Sequence, residues 1–121
     1  MIALVVDDSM AMRRIQGKAL EAMGYQVSTA GNGVEALAVL GALTRCDLLL
    51  TDWHMPEMEG IDLVRAVRKD PRWASIRIVM VTSESDTKAI ESALAAGADD
   101  FLMKPFTADT LAARITEVMR A

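Results

Sequence analysis

Five short apolar runs alternate with longer segments along the whole chain. The runs cover residues 2–6, 27–29, 48–51, 78–81 and 101–103. Most of them lack the polar alternation of a half-exposed strand, which predicts strands that are covered on both faces. Such strands, when they alternate with helices, form a parallel sheet with right-handed crossovers and a helical layer on each face. We therefore predict an α/β fold of five strand–helix units.

The segments between these runs carry apolar residues at helical spacing. The predicted buried faces are Met12, Ile15, Ala19, Ala22 and Met23; Ile61 and Val64; Ile90, Ala93 and Leu94; and Leu111, Ile115, Val118 and Met119. Gly24 and Gly97 are expected to end helices, because glycine adopts a left-handed backbone at little cost. Ser9, Asp86 and Thr107 are predicted to cap helix amino termini.

Length and charge limit the classes of function. The chain has 121 residues, 52% of them hydrophobic, which predicts one globular domain over 1–121 with no second domain. Its formal net charge of −4 disfavours binding to nucleic acid through the phosphate backbone. A single cysteine, Cys46, and a single histidine, His54, exclude metal sites rich in either residue. No signal peptide or membrane span is apparent, so we expect a cytoplasmic protein without membrane insertion.

Polar side chains follow the predicted strands at the point where each strand ends. Asp7 and Asp8 follow the first strand, and Asp52 follows the third. Thr82 ends the fourth strand, and Lys104 follows the fifth. Ligands of open parallel sheets bind at this carboxyl edge, so these side chains are expected to converge. Three converging carboxylates repel one another unless a cation compensates, and carboxylate oxygens suit Mg²⁺.

This set of groups suits phosphoryl transfer. One carboxylate can attack phosphorus, while Mg²⁺ and a lysine neutralise charge on the phosphoryl oxygens and a hydroxyl donates to one of them. The residue types therefore predict a Mg²⁺-dependent phosphoacceptor site before any resemblance is considered.

Eight separated segments resemble, in register, the receiver domain of two-component response regulators, and within that family the stand-alone receivers of chemotaxis. These segments are 5–8 (VVDD), 12–15 (MRRI), 51–53 (TDW), 55–56 (MP), 58–60 (MEG), 80–82 (MVT), 96–98 (AGA) and 104–107 (KPFT). The resemblance implies a flavodoxin-like (βα)5 open sandwich with strand order 2-1-3-4-5. It also implies a single receiver domain with no output domain.

The resemblance assigns a role to each residue at the sheet edge. Asp52 would be the phosphoacceptor. Asp8 and Asp52 would bind Mg²⁺ directly, Asp7 largely through water, and the backbone carbonyl of His54 would be a further ligand. Mn²⁺ is expected to substitute for Mg²⁺. The Lys104–Pro105 peptide bond would be cis, as it often is in the family.

The remaining two members of the implied machinery contact the phosphoryl group. Thr82 and Lys104 would bind its oxygens, and Thr82 would act with Phe101 as a conformational switch. Phe101 lacks the hydroxyl of the tyrosine that many family members carry at this position.

Two positions are expected to tune the lifetime of the phosphoryl group. His54 and Glu84 each lie two residues after a site residue, where side chains flank the path of the attacking water. The alternative is that His54 is an exposed loop residue without effect.

The function implied is a phosphorylation-controlled switch. A sensor histidine kinase would phosphorylate Asp52, and the surface of the fourth helix, fifth strand and fifth helix would then bind a downstream protein such as a flagellar motor switch component. The alternative is a phosphorelay intermediate that passes the group to a histidine phosphotransfer domain. Neither is a conventional turnover enzyme, although the domain would catalyse its own phosphorylation and dephosphorylation. No DNA partner is expected.

Overall fold

The computed structural model describes residues 1–83 and 87–120. The strands are β1 Ile2–Val6, β2 Gln26–Ala30, β3 Leu48–Asp52, β4 Arg77–Thr82 and β5 Asp100–Met103. The helices are α1 Met10–Ala22, α2 Gly33–Ala42, α3 Gly60–Lys69, α4 Thr87–Ala96 and α5 Ala108–Arg120, with a 3-10 turn at Pro71–Trp73. All five predicted strands are confirmed, and each observed strand differs from its prediction by at most one residue at either end.

The five strands form one parallel sheet in the order β2-β1-β3-β4-β5. This confirms both the predicted α/β class and the order that the resemblance implied. The chain moves outward from β1 to β2, then crosses back to β3 on the other side of β1. The order therefore reverses between β1 and β3, and the loops that follow these two strands diverge to leave a crevice at the carboxyl edge.

Side chains of the central strands alternate between two apolar cores. On one face Leu4, Leu49 and Ile78 pack with residues of α2, α3 and α4. On the other face Val5 and Leu50 pack with residues of α1 and α5. Both faces of the sheet are thus covered, which explains why the strands read as continuous apolar runs rather than as alternating ones.

Local signals fix several helix ends as predicted. The Ser9 hydroxyl accepts a hydrogen bond from the Met12 N–H at 3.2 Å, and the Thr107 hydroxyl accepts one from the Thr110 N–H at 3.1 Å. Gly24 and Gly97 have φ values of +94° and +124°, in the region that favours glycine. The predicted cap Asp86 lies outside the described residues.

The predicted buried face of α1 is wrong in part, because Ala19 and Met23 pack against the core but Ile15 and Ala22 do not. Ile15 is 53% exposed and Ala22 is also exposed, whereas Gln16, Gly17 and Leu20 are buried. Leu20 packs into the core shared with α5, and the small Gly17 lies against β2, so the helix is rotated away from the face that carries Ile15. Leu94 of α4, likewise predicted to be buried, is 41% exposed. No described helix is long and apolar enough to span a membrane.

Candidate functional site

Three carboxylates meet where β1 and β3 end, and we call Asp7, Asp8 and Asp52 the acidic rim. Each offers a carboxylate oxygen, and these oxygens all lie within 4.8 Å of one another. Asp7 is 1% exposed, Asp8 is exposed, and Asp52 lies between these extremes. The crevice at the reversal of strand order thus gathers the three acids that the sequence predicted to converge.

Lys104 supplies a cation to this rim from the loop after β5. Its Nζ lies 3.0 Å from Asp7 Oδ2 and 3.4 Å from Asp52 Oδ2. The Lys104 backbone N–H donates to the Thr82 carbonyl at 2.8 Å, which ties the loop to the end of β4. The Lys104–Pro105 peptide bond is cis, as expected from the resemblance.

Backbone groups orient the two aspartates that contact Lys104. Asp7 Oδ1 accepts from the Ser9 N–H at 2.9 Å, and Asp52 Oδ1 accepts from the Trp53 N–H at 2.8 Å. Each carboxylate therefore uses one oxygen on its own loop and directs the other toward the ammonium group. The Asp8 carboxylate accepts no hydrogen bond from residues 1–83 or 87–120, so both of its oxygens are available to a ligand.

The environment of Asp52 favours its neutral form. Burial, with a smaller contribution from the Asp7 charge, raises the pKa of Asp52 above its ordinary value. The Lys104 ammonium and the Trp53 N–H oppose this effect without cancelling it. One ammonium group is thus insufficient to compensate the acidic rim, and a further cation would be favourable.

The first residue of α3 lies very close to the backbone of Asp52, and sequence analysis did not predict this contact. A Cβ atom added at Gly60, the first residue of α3, would collide with the Asp52 carbonyl oxygen. The Gly60 N–H also donates to the Trp53 carbonyl at 2.8 Å. Only glycine allows α3 to begin this close to the phosphoacceptor candidate, and the motif 58–60 was the available signal.

Thr82 and Phe101, the two residues of the predicted switch, lie on the neighbouring strands β4 and β5. Thr82 is 1% exposed and ends β4, with Met103 as its register partner on β5. Phe101 is half-buried and packs against the core that includes Ala93 of α4. Their coupled movement stays a prediction, and Glu84 lies outside the described residues.

His54 lies in the loop that follows β3, two residues after Asp52. Its side chain is 65% exposed, and its Nδ1 lies 3.6 Å from Glu59 Oε1. The neighbouring Trp53 is buried in the core below the rim. The ligand role of the His54 carbonyl and the effect of its ring on phosphoryl lifetime stay predictions.

Arg13 of α1 contacts the site, although it was not among the predicted site residues. Its guanidinium donates to the Asp7 carbonyl at 2.6 Å. The Asp7 N–H in turn donates to the Ala30 carbonyl at 3.1 Å. The backbone of the most buried acid is therefore fixed on both sides.

The donor set of the acidic rim fits a divalent hard cation. Three carboxylates offer oxygen ligands only, and one of them is exposed, so a bound ion can retain water and accept a further oxygen from a substrate. These properties suit Mg²⁺ better than a metal that prefers nitrogen or sulfur ligands.

A parallel five-stranded sheet with an acid cluster and a lysine at its carboxyl edge defines an α/β domain with a candidate cation site at that edge. The family model for the response regulator receiver domain matches residues 3–116, and the chain belongs to this family.

Individual relatives are chemotaxis proteins. The chain is 44% identical over 117 residues to the chemotaxis protein CheY1 of Helicobacter pylori, covering 96% of this chain and 94% of that protein. It is 41% identical over 116 residues to the chemotaxis protein CheY of Pseudomonas aeruginosa, covering 95% and 93%. The crystal structure of the chemotaxis response regulator CheY4 of Vibrio cholerae superposes with a TM-score of 0.91 at 35% identity, covering 97% of each chain. The chain is thus a CheY-like receiver domain, consistent with phosphorylation-activated chemotaxis signalling.

Proposed function

We propose that this domain accepts a phosphoryl group on Asp52 from a sensor histidine kinase with Mg²⁺, and thereby switches the binding of a downstream protein. The observation that carries the proposal is the placement of Lys104 Nζ within 3.4 Å of both Asp7 and Asp52 inside a cluster of three carboxylates. An acid at this position can serve as nucleophile, while its neighbours hold the metal and the ammonium group meets the incoming phosphoryl oxygens.

The roles divide by position. A carboxylate oxygen of Asp52 would attack phosphorus, the bond from phosphorus to the donor nitrogen would break, and an acyl phosphate would result. Mg²⁺ would supply charge neutralisation at the phosphoryl oxygens, held by Asp8, Asp52 and the His54 carbonyl, with Asp7 acting through water. Lys104 and the Thr82 hydroxyl would contact those oxygens from the other side.

Phosphotransfer tests the site directly. The chain is incubated with a radiolabelled phosphorylated kinase and Mg²⁺, beside Asp52→Asn and the matched control Asp62→Asn on the exposed face of α3. We expect labelling of the wild type and of Asp62→Asn, and none of Asp52→Asn or of the wild type in EDTA. Labelling that survives Asp52→Asn would refute the assignment.

The output surface proposed is that of α4, β5 and α5, because Phe101 lies on β5, the strand that leads to Lys104, and packs against the core beneath α4. The similarity to chemotaxis proteins supports a flagellar motor switch component as the partner and the cytoplasm as the location. The relay alternative predicts instead that the phosphoryl group moves on to a histidine phosphotransfer domain. In either case the domain undergoes one modification per cycle and is not a conventional turnover enzyme.

His54 provides a finer test. His54 follows Asp52 by two residues and its ring is exposed, which supports a role in shielding an acyl phosphate or in orienting water. We expect His54→Asn to change the dephosphorylation rate while leaving phosphorylation intact. Identical rates for His54→Asn and the wild type would contradict this role.

A further inference from the structure

A groove of about 520 Å³ runs between α1 and the edge strand β2 and meets the acidic rim at Arg13. Arg13, Arg14 and Lys18 line its helical wall, with Glu21 as the one acidic residue among its lining. Val27 and Thr29 of β2 line the opposite wall. The groove therefore carries a local excess of positive charge on a chain whose formal net charge is −4.

Two of these cations are not neutralised by any described residue of the chain. Arg14 and Lys18 are exposed and form no ion pair with any residue in 1–83 or 87–120. They lie four residues apart on α1, where like charges oppose helix formation. Their arrangement thus costs the helix a little stability, with no compensating contact inside the described part of the chain.

A second basic cleft in the molecule shows the contrast. It is lined by Arg45 and Arg72, among others, at the amino end of the central strands β3 and β4. Arg45 lies 3.1 Å from Asp47, and Arg72 lies 3.8 Å from Asp70. Cations in that cleft are already neutralised by the chain itself, whereas Arg14 and Lys18 are available to an external anion.

The strand wall adds a second kind of complementarity. Among the described residues β2 pairs only with β1, so the outer backbone groups of β2 remain open to another strand. β2 contains neither a charged residue nor a proline, the features that commonly protect an edge strand from pairing. An extended chain beside β2 can form backbone hydrogen bonds while its side chains reach Arg14 and Lys18.

We propose that the groove between α1 and β2 binds an extended acidic segment of a partner protein. An acidic peptide satisfies both walls, because its carboxylates pair with the helix and its backbone pairs with the strand. Single-stranded nucleic acid would satisfy the cations but not the edge strand. The lining also contains no aromatic side chain on which bases could stack. The groove meets the acidic rim at Arg13, but the proposed contacts use Arg14, Lys18 and β2 and do not depend on phosphorylation.

Fluorescence anisotropy with a defined probe tests the proposal. The probe is a fluorescein-labelled ten-residue peptide of alternating Glu and Thr, and its control replaces Glu with Gln. We expect the Glu peptide to bind the full chain, and the double variant Arg14→Gln with Lys18→Gln to weaken binding about five- to tenfold, as expected for the loss of two exposed ion pairs. The matched double variant Arg65→Gln with Lys69→Gln, on α3, should change affinity less than twofold.

Amide chemical shifts locate the bound probe and complete the test. We expect the Glu peptide to shift residues of α1 and of β2 in the wild type. The proposal is overturned if the Glu peptide fails to bind, if the α3 control weakens binding as much as the α1 variant, or if the β2 amides do not shift. Tighter binding of a ten-nucleotide oligodeoxythymidylate at the same residues would also overturn it, in favour of nucleic acid. Thermal melts of both double variants check that each remains folded.

Discussion

The two ends of the sheet differ in how their aspartates are paired with basic side chains. At the amino end each of three aspartates contacts an arginine of its own. The pairs are Arg45–Asp47, Arg68–Asp99 and Arg114–Asp100, with N···O separations of 3.1, 2.8 and 3.2 Å. At the carboxyl end the three carboxylates of the acidic rim share one ammonium group. One end is neutralised by the chain, and the other is left to be neutralised by something that binds.

The pKa values of Asp47 and Asp52, one from each end, are shifted in opposite directions. Burial acts to raise the pKa of Asp47, but hydrogen bonds from the Ile2 N–H and from Arg45 outweigh it, so that pKa is lowered. Burial and the nearby Asp7 charge raise the pKa of Asp52 despite Lys104. The ionised form is therefore favoured at Asp47 and disfavoured at Asp52, which lies where a cation is expected to bind.

The largest expected effect is the loss of stability when Arg68 is replaced. Its guanidinium donates to the Gly97 and Ile76 carbonyls and to Asp99, each at 2.8 Å. Because Arg68→Met leaves the Gly97 and Ile76 carbonyls without this donor and Asp99 with only the Ile78 N–H, we expect the free energy of unfolding to fall by about 3 kcal/mol. Arg65→Met, at an exposed position on the same helix, should cost under about 1 kcal/mol. Urea unfolding measures both, and equal losses would contradict the proposed contrast between the two ends.

A matched pair of charge removals should change stability in opposite directions. Asp99→Asn removes a carboxylate that accepts from Arg68 and from the Ile78 N–H at 2.8 Å, so we expect a loss of about 2 kcal/mol. Asp8→Asn removes a repelling charge from the acidic rim without losing a hydrogen bond, so we expect a gain of about 0.5 to 1 kcal/mol in EDTA.

Magnesium should reverse the second result. Wild type gains stability from a ligand that binds only the folded state, whereas Asp8→Asn, with a carboxylate ligand removed, should gain less at the same Mg²⁺ concentration. A gain from Mg²⁺ as large in Asp8→Asn as in wild type would argue against Asp8 as a ligand. Chemical unfolding in EDTA and in Mg²⁺ gives both measurements.

The raised pKa of Asp52 predicts a smaller effect that depends on pH. The folded chain takes up a proton at Asp52 at pH values where the unfolded chain, with an ordinary carboxyl pKa of about 3.9, has not. The contribution of this group to the free energy of unfolding therefore rises as pH falls through the folded pKa, and it levels off below the unfolded value. In EDTA we expect Asp52→Asn to be more stable than wild type at pH 7, with the difference shrinking toward pH 4. A constant difference would show that the charge of Asp52 is not the cause.

The smallest expected effect is spectroscopic and uses one tryptophan at each end. Trp53 directly follows Asp52, and its backbone N–H donates to the Asp52 carboxylate. Trp73 lies near the amino end of the sheet, and the Arg72 guanidinium carbon lies 4.6 Å from the centre of the Trp73 ring. We expect Mg²⁺ to change the intrinsic fluorescence of wild type and of Trp73→Phe. Trp53→Phe should show no change, and a response retained in Trp53→Phe would place the metal elsewhere.

Local patterns in the sequence predicted the features that local chemistry determines. The strands, the caps Ser9 and Thr107 and the stops Gly24 and Gly97 depend on neighbouring residues, and each of these was found as predicted. The convergence of Asp7 and Asp52 followed from a general property of parallel sheets. These are the parts of fold and site that periodicity and strand ends can indicate.

Features that depend on distant partners were not predictable in this way. Arg68 meets partners 29 and 31 residues away, and no spacing rule relates those positions. The predicted buried face of α1 was partly wrong because Ile15 and Leu20 lie on different stripes of the helix. Only packing against the sheet selects which stripe is buried. The selected stripe buries the amide of Gln16, which has no hydrogen-bond partner among the described residues.

The bond between Lys104 and Asp7 joins residues 97 positions apart. Lys104 follows β5, which lies at the edge of the sheet and pairs with β4. The three carboxylates follow or end β1 and β3, which pair with each other. Local opening of one edge strand would therefore remove the ammonium group from the rim while the carboxylates stay together. The charge balance of the rim thus depends on an edge strand rather than on the centre of the sheet.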